Sequence, residues 1–424
     1  MSGKLNVVGK RLPKTDSLGK ATGRTRYAED LVLPEMLFGR LLRSPHPHAR
    51  IRKVDASRAR AMPGVHAVLL GNDLPVKYGI LPVSQDETAL AEDVVRYVGE
   101  PVAAVAADDE ETAERALAAI QVDYDPLPAI TTIEDALQTR SVRIHEQKDG
   151  SNIHKAVSFE FGDVAGGFAR AEHVREDVFF YEGSNHVAME QHAVLASTEA
   201  SGKLTVWSST QVPLYLRNAL MKVLGLLSDR VRVIAPPVGG GFGGKSDVFS
   251  HEIVAAKLAM DTQRPVKIVC SREEVFYLHR GRHPVLMKIR TGFTKDGRIT
   301  AMHFRSVLDG GAFGSYGVAS TYYTGVLQPT TYRIPAYKFE GVRVFTNKPP
   351  CGPKRGHGTP QPRFALEAHL DKAAEELRLD PAEIRFRNLV RPFSMTVNHL
   401  RITSCGLREC MEKVIEASKF REKH

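Results

Sequence analysis

Residues 231–250 read VRVIAPPVGGGFGGKSDVFS, and the rest of the chain is organised around this stretch. β-Branched residues give way to glycine at residues 239–244, interrupted only by Phe242, and a helix is predicted over residues 247–260. Glycine lets the main chain adopt positive φ and approach a ligand closely, and the amides at a helix start favour an anion. The pattern therefore predicts a site for an anionic cofactor.

The first glycine loop, residues 239–246, also matches the phosphate-loop pattern G-x-x-x-x-G-K-[ST], which makes a nucleotide one candidate ligand. Over half of the chain precedes the loop, whereas nucleotide-binding cores normally carry it early in an alternating βαβ order. No apolar run that ends in a magnesium-binding aspartate follows, because Asp309 stands before two glycines and predicts a turn. Spacing alone leaves three alternatives: a nucleotide loop, a plain glycine-rich turn and a site for another anionic cofactor.

Composition places the chain among globular proteins, since 424 residues with 42% apolar content suffice for two or three domains with substantial cores. Lys and Arg number 58 against 49 Asp and Glu, and this balance favours phosphate-bearing cofactors, coenzyme-A thioesters or an acidic partner. No basic helix or RNA-binding aromatic motif is present, so nucleic-acid binding is not predicted. No apolar run reaches membrane-spanning length, and the N-terminus lacks a secretory apolar segment, so a cytoplasmic location is expected.

The four cysteines show no C-x-x-C spacing: they are Cys270, Cys351, Cys405 and Cys410. A disulfide framework, a structural zinc site and a cysteine-held iron–sulfur cluster are therefore unsupported.

The N-terminal part divides into an extended arm, residues 1–21, and a compact α+β domain, residues 22–125. Its clearest element is a helix over residues 109–120, where apolar side chains recur at helical spacing. Strands predicted around residues 36–42, 65–70 and 102–106 give a strand, helix, strand order that indicates a self-contained unit. Residues 126–151 open on two prolines and are predicted to be a polar linker at the domain boundary.

A second domain is predicted over residues 152–392. Between strands predicted at residues 204–208 and 231–234, a helix is expected to begin near Pro213 and to end at Gly225. Gln211 lies where the first of these strands meets the helix. Its amide can reach a buried ligand from there, although a satisfied turn glutamine is the commoner case.

Three later segments leave the role of their residues open. Residues 279–283 read HRGRH and predict either a phosphate-contacting patch or, more commonly, a solvated charged loop. Residues 310–323 are rich in glycine and tyrosine without a helical period, which suits an aromatic pocket or ordinary β packing. A second glycine loop, residues 346–359, leads into a helix predicted over residues 363–378. Two interpretations of Arg355 in this loop stay open: its guanidinium binds a phosphate or a carbonyl group of a ligand, or it is a surface arginine at a helix start.

Two glycine loops that each lead into a helix are a stronger indication than either alone. Here the sequence resembles the molybdenum hydroxylases of the xanthine dehydrogenase and aldehyde oxidase type. The resemblance rests on GGGFGGK at residues 239–245, on Thr210-Gln211, on Met189-Glu190 and on RGHG at residues 355–358, in the family order. It includes GKATG at residues 19–23 and RSPHPHA at residues 43–49, extends over nearly the whole chain, and favours a pterin over a nucleotide.

The resemblance implies an α+β fold in which residues 22–125 form an α/β hammerhead domain and residues 152–392 the first of two molybdopterin-binding domains. The implied cofactor is molybdenum-molybdopterin, in its plain or cytosine dinucleotide form, with the metal held through the pterin rather than by side chains.

Functional residues carry over position by position. Gln211 matches the glutamine that hydrogen-bonds a molybdenum oxo ligand, and Phe242 matches the residue whose main-chain amide does the same. Arg355 and Gly356 match the second loop near the pterin. The remaining cofactor-binding positions are glycines that let the first loop approach: Gly240, Gly241 and Gly243.

Three substrate positions depart from the xanthine-oxidising branch. Ser246 stands where that branch has a purine-binding glutamate, Tyr323 stands in place of an arginine, and His357 in place of a phenylalanine. Purine oxidation is therefore not expected. The chain looks most like the 4-hydroxybenzoyl-CoA reductase branch in three motifs: HRGR at residues 279–282, YTG at residues 323–325, and PPCG at residues 349–352 followed by RGHGT at residues 355–359. Tyrosines suit an aromatic ring, and basic residues suit a coenzyme-A phosphate. Furoyl-CoA and nitrogen heteroaromatic acids such as nicotinate stay as alternatives, and the direction of the reaction stays open.

The resemblance also implies partners. Most of the family carries a further molybdopterin domain with the catalytic glutamate, and nicotinate dehydrogenase divides its molybdenum subunit between two chains. A second molybdopterin-binding chain is therefore expected, together with a small [2Fe-2S] subunit and an FAD subunit. Residues 393–424 are expected to form a tail with a helix that contacts the partner. A phosphate-loop NTPase and a noncatalytic scaffold subunit are the alternatives from other classes.

Overall fold

The computed structural model describes residues 5–145, 150–278 and 280–423. The N-terminal part contains, in chain order, α1 Ser17–Ala21, β1 Leu37–Arg43, β2 Ala49–Asp55, α2 Ser57–Arg60, β3 Val65–Leu70, β4 Val94–Val95, β5 Pro101–Ala107, α3 Glu110–Ala119, β6 Gln121–Pro126 and α4 Ile133–Gln138. Short 3-10 turns lie at Gly71–Asp73 and Pro82–Ser84.

The larger part that follows contains β7 Ile153–Phe161, α5 Val164–Ala169, β8 His173–Tyr181, β9 Ala193–Thr198, β10 Leu204–Ser208, α6 Pro213–Leu224, β11 Val231–Ile234, α7 Ser250–Thr262, β12 Val266–Val269, α8 Arg272–Leu278, β13 Val285–Phe293, β14 Ile299–Asp309, α9 Val318–Val326, β15 Tyr337–Val344, α10 Pro360–Glu376 and α11 Pro381–Asn388. It ends with β16 Ser394–Met395, β17 Arg401–Ile402, α12 Leu407–Ser418 and α13 Phe420–Lys423. Two further 3-10 turns lie at Ser228–Arg230 and Gln328–Thr330.

Two large sheets carry these elements. A seven-stranded sheet has the order β11-β10-β9-β12-β1-β5-β3, and a five-stranded sheet has the order β7-β15-β14-β13-β8. The pairs β10–β11, β1–β12 and β14–β15 are parallel, and the other pairs in these two sheets are antiparallel. Smaller sheets join β4, β2 and β6, and β16 with β17.

The seven-stranded sheet crosses the predicted domain boundary. Strand β1 pairs with β12 from the second part of the chain, so the prediction of a self-contained N-terminal unit is wrong for its main sheet. Strand β5, PVAAVAA, is buried throughout because helices cover both its faces: Ala113 and Ala116 of α3 pack on one side and Ile253 of α7 on the other. Small alanines let both helices approach closely. The division at residues 126–151 stays a prediction.

Residues 126–151, predicted to be a polar linker, contain α4. Ile130, Ile133 and Ile144 are buried in one cluster with Val344 and Phe345 of the five-stranded region. The linker was predicted because the stretch is mostly polar. Its few apolar side chains nevertheless pack against the neighbouring sheet.

Many predicted elements are confirmed at or near their limits, among them β3, β10, β11, the hairpin β13–β14 and helix α6, which Gly225 ends at φ 65°. Two further predictions are wrong. The arm contains α1, where an Asp16–Lys20 ion pair one helical turn apart supports a short helix. Residues 310–323 run into α9, whose β-branched and aromatic residues are poor helix formers; packing of α9 against β15 outweighs that propensity.

Candidate functional site

The first glycine loop lies beside Gln211 because two neighbouring strands end at the same edge. Strands β10 and β11 are parallel neighbours joined through α6, so their carboxyl ends meet at one side of the sheet. Gln211 follows β10, and the loop follows β11. The loop then leads into α7, whose buried face fixes it to the sheet.

Gln211 binds main-chain amides of the first glycine loop. Its side-chain Oε1 accepts hydrogen bonds from the main-chain amides of Gly243 at 3.1 Å and Lys245 at 3.2 Å. The main-chain amide of Gln211 donates to the Lys245 carbonyl at 2.8 Å. A Cβ on Gly241 would lie 2.5 Å from Oε1, so glycine is needed for this approach. The side-chain oxygen of Gln211 is thereby occupied. The side chain is exposed, and its NH₂ group keeps its donors for a ligand.

A buried ion pair anchors the same loop. Lys245 Nζ lies 2.5 Å from Glu190 Oε2, with 2% and 7% of the two side chains exposed. The same carboxylate oxygen accepts from the amide of Gly239 at 2.7 Å. Burial lowers the pKa of Lys245 although its carboxylate partner opposes the shift. In a phosphate loop this lysine and these amides bind the nucleotide, whereas here protein acceptors occupy them. The NTPase interpretation is therefore not supported.

The two glycine loops meet. The amide of Arg355 donates to the carbonyl of Phe242 at 2.8 Å, and the Arg355 guanidinium carbon lies 5.7 Å from the centre of the Phe242 ring. A Cβ on Gly243 would lie 2.6 Å from the carbonyl oxygen of Pro353, and that oxygen also contacts His186 Nε2 at 2.7 Å. Phe242 is 46% exposed, and Arg355 is exposed too. Residues more than a hundred positions apart thus form one surface.

Backbone conformations around this contact are uncommon. Phe242, Val187 and Ser315 have φ of 54°, 48° and 53°, a region that non-glycine residues rarely adopt. Gly240 and Gly243, at φ 105° and 96°, take conformations suited to glycine. Such conformations persist only where surrounding structure imposes them, and they concentrate at functional sites.

The predicted substrate positions are only partly brought together. Tyr323 and His357 are in ring contact, with centroids 5.4 Å apart, and the centroid of the Tyr316 ring lies 5.3 Å from that of His357. These rings meet because β14 and β15 are parallel neighbours, so the segments that follow both strands share one edge. Ser246 is half-buried in the first loop, where its amide donates to the Gly243 carbonyl. Among the described residues, no hydrogen bond joins Ser246 to either ring.

The Nε2 atom of His357 is buried and, within the described ranges, has no protein hydrogen-bond partner. Burial lowers the pKa of His357 to about 4, so the ring is neutral at physiological pH. An unpaired polar atom beside two tyrosines suits a ligand that carries a ring nitrogen or a hydroxyl.

A cavity of about 810 Å³ opens beside Tyr323. Its lining combines aromatic rings with cationic groups, including Lys77, Arg96, Lys155, Tyr322, Tyr323 and Phe345. Two histidines in its wall, His145 and His154, are neutral, because burial lowers their pKa values to about 3 and about 2.

The predicted solvated loop at residues 279–283 is wrong for its described residues, since Arg280, Arg282 and His283 are buried; His279 lies outside the described residues. Arg280 pairs with Glu87 at 2.6 Å and with Asp247 at 3.4 Å. Asp247 in turn accepts from the Ser315 hydroxyl and from the amide of Tyr316 at 3.2 Å. Long-range acidic partners, absent from the local sequence, explain the burial of Arg280.

Sequence reasoning missed three anchoring residues: Glu190, His186 and Arg282. Glu190 belongs to the Met189-Glu190 motif and Arg282 to HRGRH at residues 279–283, but neither pattern predicts an anchoring role, and His186 lies in no motif. Each binds a loop far away in sequence, so only the fold reveals its role.

The structure describes no helix long and apolar enough to cross a membrane within residues 5–145, 150–278 and 280–423. In the same ranges no group of three or more His, Cys, Asp or Glu side chains is placed to hold a metal ion, and the four cysteines are free thiols.

Two family models match the chain. Residues 22–128 match the a/b hammerhead domain of aldehyde oxidase and xanthine dehydrogenase, and residues 144–389 match the molybdopterin cofactor-binding domain.

Individual relatives agree with these matches. The chain is 38% identical to the nicotinate dehydrogenase large molybdopterin subunit of Eubacterium barkeri, over 97% of this chain and 96% of the relative. It is 38% identical to a probable xanthine dehydrogenase subunit of Bacillus subtilis, over 90% of this chain but 51% of the relative. The structure of quinoline 2-oxidoreductase from Pseudomonas putida 86 is similar with a TM-score of 0.89 and 31% identity, over 98% of this chain and 55% of that chain.

The chain thus spans nearly all of the first relative and about half of the other two. The expected α+β fold, a hammerhead domain followed by a molybdopterin-binding domain, is confirmed. This chain belongs to the xanthine dehydrogenase and aldehyde oxidase family of molybdenum-dependent oxidoreductases.

Proposed function

We propose that this chain supplies one side of the molybdopterin site of a hydroxylase that acts on a nitrogen heteroaromatic acid. The observation that carries the proposal is the contact between the two glycine loops, where Arg355 donates to Phe242 beside Gln211 and its bonds to the first loop. These three residues are the predicted catalytic ones, and one compact surface holds them all.

The residues of this surface fit an anionic, oxygen-rich cofactor. Gln211 offers its NH₂ group, Phe242 its main-chain amide and Arg355 its guanidinium, all of which are donors. Gly240, Gly241, Gly243 and Gly356 would let the backbone approach the pterin. When bound, molybdenum-molybdopterin supplies the two-electron redox chemistry of the reaction. The cytosine dinucleotide form stays a prediction.

This chain's own contribution is to bind and orient. Gln211 would hold an oxygen of the cofactor by a preorganised donor, which requires no rearrangement during reaction. Arg355 would place its positive charge beside developing negative charge on substrate or cofactor, while Phe242 excludes water from one side.

The substrate class follows from the ring cluster. Tyr316, Tyr323 and His357 suit a flat aromatic ring, and the orphaned His357 Nε2 suits a polar ring atom. The names of two relatives, nicotinate dehydrogenase and quinoline 2-oxidoreductase, refer to nitrogen heteroaromatic substrates.

The alternative of an aromatic acyl-CoA such as 4-hydroxybenzoyl-CoA has lost part of its support. The basic residues invoked for the coenzyme-A phosphate include Arg280 and Arg282, which are buried and bound within the protein. This hypothesis stays a prediction, and the described cationic groups that would serve it are Lys77, Arg96 and Lys155 in the cavity beside Tyr323.

Partner chains are proposed because the donors at the site are exposed, whereas redox chemistry of this kind needs a water-excluding pocket. A second molybdopterin-binding chain with the catalytic glutamate would close the pocket, and a small [2Fe-2S] subunit and an FAD subunit would carry electrons away. The cytoplasmic location and the partner-contacting role of residues 393–424 stay predictions.

Metal analysis and a substrate panel test the proposal on the enzyme purified with its partners. We expect one molybdenum per chain and turnover of nicotinate with an artificial electron acceptor, exceeding that of furoyl-CoA or 4-hydroxybenzoyl-CoA by at least tenfold. Nucleotide hydrolysis without molybdenum would end the proposal, and turnover of thioesters alone would replace the proposed substrate class.

A further inference from the structure

Arg282 is a buried cation in an unusual setting. Only 7% of the residue is exposed, and within the described ranges no carboxylate forms an ion pair with it. A buried guanidinium needs oxygen acceptors to replace its hydration. Main-chain carbonyls of the second glycine loop supply most of them.

The bonds are specific. One terminal nitrogen of Arg282 donates to the Gly356 carbonyl at 3.2 Å and to Gln361 Oε1 at 3.3 Å. The other donates to the Arg355 carbonyl at 2.5 Å, with the Lys354 carbonyl at 3.5 Å. The main chain of Arg282 is itself fixed, since its amide donates to the Ser184 carbonyl at 2.9 Å.

These bonds set the direction of the amides. In a trans peptide the C=O and N–H groups point in opposite directions, so carbonyls turned toward Arg282 turn the next amides away from it. The amide of Arg355 shows this arrangement, because it points to the Phe242 carbonyl of the first loop. The amides of Gly356 and His357 follow the Arg355 and Gly356 carbonyls, which Arg282 also binds. Within residues 5–145, 150–278 and 280–423, neither amide donates to a protein acceptor.

We propose that Arg282 is a positioning residue that draws the carbonyls of the second glycine loop inward and so presents the Gly356 and His357 amides to an anionic ligand. Consecutive main-chain amides that point the same way form an anion-binding concavity, and Gly356 at φ 78° permits that geometry. The identity of that ligand as the molybdopterin rests on the proposed function, whereas the orientation of the loop does not.

Hydrogen–deuterium exchange of the assembled enzyme tests the positioning role without reference to activity. In Arg282→Met, exchange of the peptide covering residues 352–359 should be at least tenfold faster, and exchange of the β13–β14 hairpin should be unchanged. Arg282→Lys, which keeps the charge but lacks the planar fork, should be intermediate. The control is Arg385→Met on α11. Arg385 also donates to main-chain carbonyls, those of Glu367 on α10 and Pro381, and in addition it pairs with the carboxylates of Glu367 and Asp371.

Molybdenum content supplies the second readout. We expect Arg282→Met to retain less than a fifth of the wild-type molybdenum, and Arg385→Met to retain it fully. Unchanged exchange at residues 352–359, or acceleration matched in the hairpin, would overturn the positioning role. Faster exchange with full molybdenum content would overturn the assignment of the two amides to the cofactor. A wild-type enzyme without molybdenum would instead count against the proposed function, and exchange would still decide the role of Arg282.

Discussion

The two glycine loops are held by opposite chemistry. Acceptors bind the first loop: Glu190 and Gln211 take the amides of Gly239, Gly243 and Lys245. A donor binds the second loop, since Arg282 takes the carbonyls of residues 354–356. The first loop therefore has several of its amides occupied by protein, and the second has amides directed outward.

This difference indicates a division of work. The first loop contributes the main-chain amide of Phe242 to the site, and the NH₂ group of Gln211 lies beside it. The second contributes positive character through Arg355 and its amides. A phosphate-cradling loop would need the reverse arrangement at residues 239–246, with free amides and a free lysine.

The largest expected effect comes from removing the ion pair under the first loop. In Lys245→Met, the Glu190 carboxylate stays buried without its partner, which should lower the free energy of unfolding by about 3–5 kcal/mol. Urea denaturation measures this change. Lys413→Met, which breaks the exposed pair with Glu409, should cost less than about 0.5 kcal/mol. Equal effects in the two variants would show that the pair does not anchor the loop.

Gln211→Glu tests the donor role of the Gln211 side chain separately from its acceptor role. The carboxylate still accepts from the amides of Gly243 and Lys245 but has no NH₂ donor, so turnover should fall by about 100-fold with the loop intact. Steady-state kinetics of the assembled enzyme measure the effect, and Gln263→Glu on the surface after α7 is the control. Wild-type turnover with full cofactor occupancy would leave this chain a noncatalytic scaffold.

Gly243→Ala tests the contact between the loops. The residue has φ 96°, and a Cβ would lie 2.6 Å from the Pro353 carbonyl oxygen, so strain and overlap together should cost about 2–4 kcal/mol. Gly225→Ala is matched for positive φ, at 65°, but has no atom within 4 Å of the added Cβ, so it should cost about 1–2 kcal/mol. Thermal or urea unfolding compares them, and similar losses would contradict a tight contact.

The smallest effect concerns pH. Burial raises the pKa of Glu252, at the start of α7 behind the first loop, from 4.5 to about 7. The folded state therefore holds a proton that the unfolded state releases, and this stabilisation is full below pH 4.5 and is lost as pH rises through 7. In Glu252→Gln, the fall in unfolding free energy between pH 5 and 7 should be shallower by about 1 kcal/mol per pH unit. An identical pH profile in the variant and the wild type would show that Glu252 does not titrate in this range.

Sequence alone predicted much of this fold and site because the decisive patterns are local. The step from β11 through glycines to α7, and the place of Gln211 between β10 and α6, follow from periodicity and turn chemistry. The resemblance then placed Phe242 and Arg355 in one site, and their contact confirms that the two loops converge.

What sequence could not predict depends on partners distant in the chain. Arg280 and Arg282 lie among polar residues and predicted a solvated loop, yet Glu87, Asp247 and the second loop bury them. The segment 318–326 is a helix because β15 packs against it, despite its β-branched residues. The sequence predicts a self-contained N-terminal unit, because nothing local indicates that β1 pairs with β12 from the second part of the chain.

A density map of the assembled enzyme with its cofactor bound tests the central claim most directly. We expect the pterin-held molybdenum at the contact between residues 239–246 and 346–359, with the Gln211 NH₂ and the Phe242 amide within hydrogen-bond distance of the cofactor. A cofactor located elsewhere, or loops that separate in the assembly, would contradict the account.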